Sequence, residues 1–168
     1  FRIENKIAYI LFSILPISII VGSAVLNLLI FLIDLYFIFT IIKKKQKEFL
    51  INNIFLLFVF VWFLLILNSI FIANTLESFT RTFGFLRFVI FIFAIKYFFE
   101  LNPEYFKKYI LGLWFLIFLI VTTDIFFEFF KGYNILGFKS DYNGRIASFT
   151  GDELKIGNYY FGFVLLAL

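Results

Sequence analysis

"IAYILFSILPISIIVGSAVLNLLIFLIDLYFIFTII" fills residues 7–42, and Asp34 is its only charged side chain. As a single helix this stretch would reach about 54 Å at 1.5 Å per residue. The hydrocarbon core of a bilayer is only about 30 Å thick. The run therefore divides into two spans, residues 7–21 and 24–42, turning at Gly22–Ser23. Pro16 falls late in the first span, where it has no N–H to give its own helix. A neighbouring helix can satisfy the carbonyl that it frees.

The same apolar pattern continues outward from this pair. Further spans are predicted at 53–72, 83–99 and 109–130, and a sixth starts at 157 and runs to 168, where it is cut short. Hydrophobic residues make up 63% of the chain and the mean hydropathy is +1.02, against about 45–50% apolar usage in soluble domains. The expected fold is all-α, a polytopic transmembrane helical bundle of about six spans forming a single domain. No internal repeat and no soluble domain are visible. The chain opens at Phe1 with no Met anywhere and stops at Leu168 inside an apolar run, so it is expected to be the amino-terminal piece of a longer membrane protein.

A net charge of +4 and a pI of about 9.2 do not indicate nucleic-acid binding here, because the cations punctuate the ends of apolar segments instead of forming a patch. Lys and Arg bias sets membrane orientation. One set of loops and ends holds Arg2, Lys6, Lys43, Lys44, Lys45, Lys47, Lys96, Lys107 and Lys108, and the other holds Arg81, Lys131, Lys139, Arg145 and Lys155. The amino terminus should be cytoplasmic, with the loops at 73–82 and 131–156 facing outward. With no Cys and no His, disulfides and thiolate metal sites are excluded, and the commonest general base and metal ligand is missing.

The outward loop at 131–156 is polar and rich in glycine. Six of the nine glycines follow residue 131: Gly132, Gly137, Gly144, Gly151, Gly157 and Gly162. A loop this long inside a compact bundle is either functional or a solvated connector. "TDIFFEFFKGYNILGF" followed by "GRIASFTGDELKIGNYY" resembles the signature region of the bacterial O-antigen ligase and polymerase family. The matching positions are Asp124, Gly132 to Gly137, Arg145 to Glu153, and Gly157. "ILPISIIVGSAVLNLLIFLIDL" and "FTRTFGFLRFVIF" are similar to that family's first hairpin and arginine-bearing fourth span.

The resemblance implies an integral glycosyltransferase of the bacterial inner membrane that needs no metal or other cofactor. Its donor would be a glycan on undecaprenyl pyrophosphate, and its acceptor another lipid-linked glycan or a lipid A core. An acceptor hydroxyl would attack directly while arginines stabilise the departing pyrophosphate. Ligase and polymerase are not separated by these residues.

Within that frame Arg145 is the candidate catalytic residue. Its planar guanidinium can grip a pyrophosphate in bidentate fashion, and the plainer role is a rim ion pair with Asp141 or Asp152. "TGDE" reads as a capping box, with Thr150 at N-cap and Glu153 at N3, and Asp152 suits the positive end of the helix. Asp152 and Glu153 could otherwise orient Arg145 or bind acceptor hydroxyls. Arg81 and Asp124 are further candidate substrate-binding residues, and Arg81 can also snorkel to the surface. Arg87, six residues on, lies deeper, where a charge usually faces the bundle interior. It is expected either to bind the lipid pyrophosphate or to pair with Asp124 or Glu128. Asp34, an acid in mid-span, is a functional candidate with no partner identifiable from sequence. An alternative function is a transporter or flippase that uses Asp34, Arg87 and Asp124 as a charged pathway, although repeats around a midplane site would then be expected.

Overall fold

The computed structural model describes residues 6–46, 49, 52–73, 75–140, 146–150, 157, 159 and 160. Every regular element among them is helical. Four helices are long and apolar enough to cross a membrane: α2 (Ser23–Lys44), α3 (Asn53–Ala73), α4 (Leu76–Leu101) and α5 (Pro103–Lys131). The apolar helix that precedes them, α1 (Lys6–Val21), has 16 residues, about 24 Å of rise. The break between α1 and α2 comes at Gly22, whose φ of +141° is open to glycine and strained for other residues. Beyond Gly157, Tyr159 and Tyr160, the sixth predicted span lies outside the described residues.

Two helix starts differ from expectation. The linker read as a loop over 73–82 is helical from Leu76 onward. Thr75 is an extended N-cap whose side chain accepts the Ser78 N–H at 3.2 Å, Glu77 lies in the positive first turn, and Arg81 reaches back to Glu77 one turn along. These local terms favour helix over a loop of polar composition. Likewise α5 starts at Pro103, not 109, because proline is well suited to a first helical position. A π-helical stretch over Phe106–Leu111 precedes its regular part, and α3 also ends in one, over Ser69–Ala73.

The chain forms two compact units. In the first, drawn from residues 6–11 and 28–103, α3 and α4 pack as an antiparallel pair. Phe55 meets Phe93 edge-on at 5.1 Å between centroids, and Trp62 lies 6.1 Å from Phe83. The Trp62 indole donates to the Thr82 carbonyl at 3.1 Å. No residue of Asn53–Asn68 is buried; its half-buried apolar residues are Phe55, Phe58, Val59, Trp62, Ile66 and Leu67. From α2, Leu29, Ile30, Ile33, Asp34, Phe37 and Ile41 form a buried stripe at three- and four-residue spacing, the period of one helix face. Phe37 sits against Tyr97 and Phe98 at 5.6 and 6.4 Å.

The second unit comprises Phe12–Asn27 and the described residues after Glu104. Here Pro16 leaves the Phe12 carbonyl without its helical donor. The Trp114 indole supplies one at 2.9 Å, the compensation anticipated from a neighbouring helix. Phe12 and Phe106 add a ring contact at 5.7 Å. After the loop the chain returns onto α5, where the Tyr160 hydroxyl hydrogen-bonds Thr122 Oγ1 at 2.7 Å and its ring meets Phe118 at 5.0 Å.

Candidate functional site

The last three turns of α5 place Val121, Asp124 and Glu128 on one buried face. Asp124 is 0% exposed and Glu128 5%. A buried carboxylate is costly unless donors surround it, and here the following loop supplies them. Asp124 Oδ1 accepts the Ile135 N–H at 2.7 Å, and Oδ2 accepts the Ser148 hydroxyl at 2.5 Å. Glu128 Oε2 accepts the Ser148 N–H at 2.6 Å, and both of its oxygens lie 3.2 Å from the Ala147 nitrogen.

The loop's own turn completes the arrangement. Gly132 ends α5 in the left-handed region, φ +77°, and returns its N–H to the Glu128 carbonyl at 2.7 Å, the αL termination typical of glycine. The Gly137 N–H, at φ +86°, donates to the Asn134 carbonyl at 2.8 Å. Asn134, 1% exposed, links the two halves of the loop: its Oδ1 accepts the Phe138 N–H at 2.8 Å, and its Nδ2 donates to the Ser148 carbonyl at 2.9 Å. Ser148 is the hub, because its N–H, hydroxyl and carbonyl are all engaged. This explains why a non-glycine residue holds φ +50° there.

Asp124 and Glu128 are thus brought together one turn apart, as expected, and their donors belong to the loop that follows them. Of the arginines, Arg81 is exposed and makes a 2.5 Å ion pair with Glu77. Arg87 is half-buried on α4 with its guanidinium 4.7 Å from the Phe88 ring centroid. Asp34 is 4% exposed, and neither carboxylate oxygen has a hydrogen-bond partner among the described residues. Arg145, Asp152 and Glu153 lie outside the described residues, as does Asp141, the other acid considered for Arg145. The segment anchored to Glu128 begins two residues after Arg145 in sequence.

Sequence reasoning did not identify Ile135, Ala147 or Ser148 as partners of the acids, nor Asn134 as the bridge between the two halves of the loop. The signal was the "GYNILG" turn, whose Asn between two glycines marks a side chain able to bridge its own backbone. Contacts separated by 11 to 24 residues have no periodicity to reveal them. No family model, curated protein or solved structure matches the chain.

Proposed function

We propose that this chain is part of a membrane glycosyltransferase of surface-polysaccharide assembly in the bacterial inner membrane. It would take glycan from undecaprenyl pyrophosphate at the extracytoplasmic face and pass it to an acceptor sugar, with no metal. The observation that carries this reading is the coincidence of the signature-like block with a built loop. Asp124, the acid that opens the resemblance, and Glu128 one turn on bind the backbone at Ile135, Ala147 and Ser148. A bare connector needs no such anchorage.

In this reading Arg145 meets the pyrophosphate, where a fixed cation stabilises charge developing on the leaving group. Asp124, first considered as a substrate ligand, becomes a positioning residue for the loop. Arg81 and Arg87 belong to the donor's anionic region, and Asp152 and Glu153 open the following helix or hold the acceptor.

The test is Arg145→Ala in the full-length protein. Transfer from a lipid-pyrophosphate donor should fall by 10² or more, the scale of losing one oxyanion donor, while the protein accumulates normally in the membrane. Wild-type transfer would remove Arg145 from the mechanism.

A specific observation also favours a second reading, a transporter or flippase. Asp34 is a buried intramembrane acid whose oxygens have no hydrogen-bond partner among the described residues, and such residues commonly mark translocation pathways. Proteoliposomes separate the two: a transporter moves lipid-linked or anionic substrate across the bilayer and loses this with Asp34→Asn, whereas the glycosyltransferase retains transfer on one face.

A further inference from the structure

Where α2 ends, its chain leaves through an unusual cap. The Gln46 N–H bonds the Ile41 carbonyl and the Lys45 N–H bonds the Ile42 carbonyl, both at 3.2 Å, the paired pattern of a Schellman termination. The residue after such a cap adopts the left-handed conformation and is usually glycine. Here it is Lys45, at φ +56°, a conformation that disfavours a side-chain-bearing residue by about 1–2 kcal/mol. Helix-end electrostatics and orientation bias account for Lys43 and Lys44. They do not account for a lysine where glycine would be more stable, and non-glycine residues held in that region point to a use for the side chain.

Lys45 lines a cleft of about 440 Å³ together with Gln46, Phe49, Tyr97, Glu100 and Leu101. All of these residues belong to the first compact unit. Rings of Phe49 and Tyr97, 5.3 Å apart and edge-on, form its apolar wall. Two more cations lie on those rings, Lys44 5.9 Å from Tyr97 and Lys96 5.7 Å from Phe49. Glu100, the acid among the described lining residues, is engaged by Lys96 at 3.9 Å. Tyr97 is 4% exposed and its hydroxyl donates to Gln46 Oε1 at 2.7 Å, which fixes the side-chain NH2 of Gln46 as a hydrogen-bond donor. In the last two turns of α2, Phe39 and Ile42 present exposed apolar surface.

We infer that this cleft is a binding site for the headgroup of an anionic phospholipid. Lys44, Lys45 and the Gln46 amide take the phosphate, and the aromatic wall takes the glycerol and the first methylenes. The occupant follows from charge and position. The cations are ammoniums, which bind phosphate as point charges. The cleft also lies at the end of apolar helices, where headgroups sit, and anionic lipid attracts each such lysine by about 1 kcal/mol.

The test uses the purified full-length protein, its thermal unfolding followed with added phosphatidylglycerol, phosphatidylcholine or soluble glycerol phosphate. Phosphatidylglycerol should raise Tm and the other two should not. Lys45→Gly should match or exceed wild type in phosphatidylcholine, because glycine suits the cap, yet bind phosphatidylglycerol about fivefold more weakly. Lys44→Gln/Lys45→Gln should weaken that binding about 25-fold, and Lys131→Gln should leave it unchanged. Equal phosphatidylglycerol binding by wild type and Lys45→Gly would overturn the site. So would an equal loss in Lys131→Gln, which would reduce the effect to general surface charge. Stabilisation by glycerol phosphate as large as by the lipid would replace the lipid with a soluble phosphate.

Discussion

Ser148 holds a left-handed backbone while its hydroxyl fills one valence of a fully buried aspartate. Those two facts act in opposite directions, so two small substitutions should separate them. Ser148→Ala keeps the backbone strain and deprives Asp124 Oδ2 of its donor, which should loosen the loop by about 1–3 kcal/mol. Ser148→Gly loses the same donor but relieves the strain, and should be milder than alanine by about 1 kcal/mol. Hydrogen exchange at the Ile135, Ala147 and Ser148 amides reads the difference directly. Equal protection in both variants would mean that the hydroxyl is not what orders the loop. Glu128→Ala should expose the Ala147 and Ser148 amides most, because it removes every acceptor that they use.

Single helices were legible wherever apolar length decided them. The second and third spans, read as 24–42 and 53–72, are Ser23–Lys44 and Asn53–Ala73, and the break at Gly22 fell where glycine was needed. Ends governed by local chemistry were less legible. The start of α4 rests on Thr75 and Glu77, polar residues whose composition looks like loop until the cap is counted. Thr75→Ala should therefore cost about 0.5–2 kcal/mol and fray α4 back toward Arg81, measurable as faster exchange of the Ser78 amide. Within the second unit the Pro16–Trp114 relation makes a sharper prediction. Trp114→Phe leaves the Phe12 carbonyl buried without its donor, a loss of about 1–3 kcal/mol. In a Pro16→Ala background alanine restores the helical N–H, and Trp114→Phe should then cost clearly less. Additive losses would show that the indole donor is not what offsets the proline.

For the molecule as a whole, an all-helical chain with membrane-crossing helices was evident from composition and run length. The arrangement of the candidate site was not, because the bonds from Asp124 and Glu128 to the loop follow no sequence period. Orientation is a property of this scale and can be measured cleanly, since the chain has no Cys. Lys43→Cys and Leu136→Cys, both at exposed positions, are separated by α3, α4 and α5. If all three cross, as the proposed function requires, the two positions lie on opposite sides of the bilayer. An impermeant maleimide applied from outside should label Leu136→Cys alone, and labelling of both would break the proposed topology.

The bare flank of α3 has a consequence for how this protein can change over generations. Because no residue of Asn53–Asn68 is buried, most of its side chains touch little of the described chain, and hydrocarbon around them would not distinguish Ile from Leu, Val or Phe. That helix should drift freely among apolar residues while Phe55, Phe58 and Trp62 stay restrained by their rings against α4. A saturation library scored for membrane yield should display that contrast as one strict stripe on an otherwise permissive cylinder.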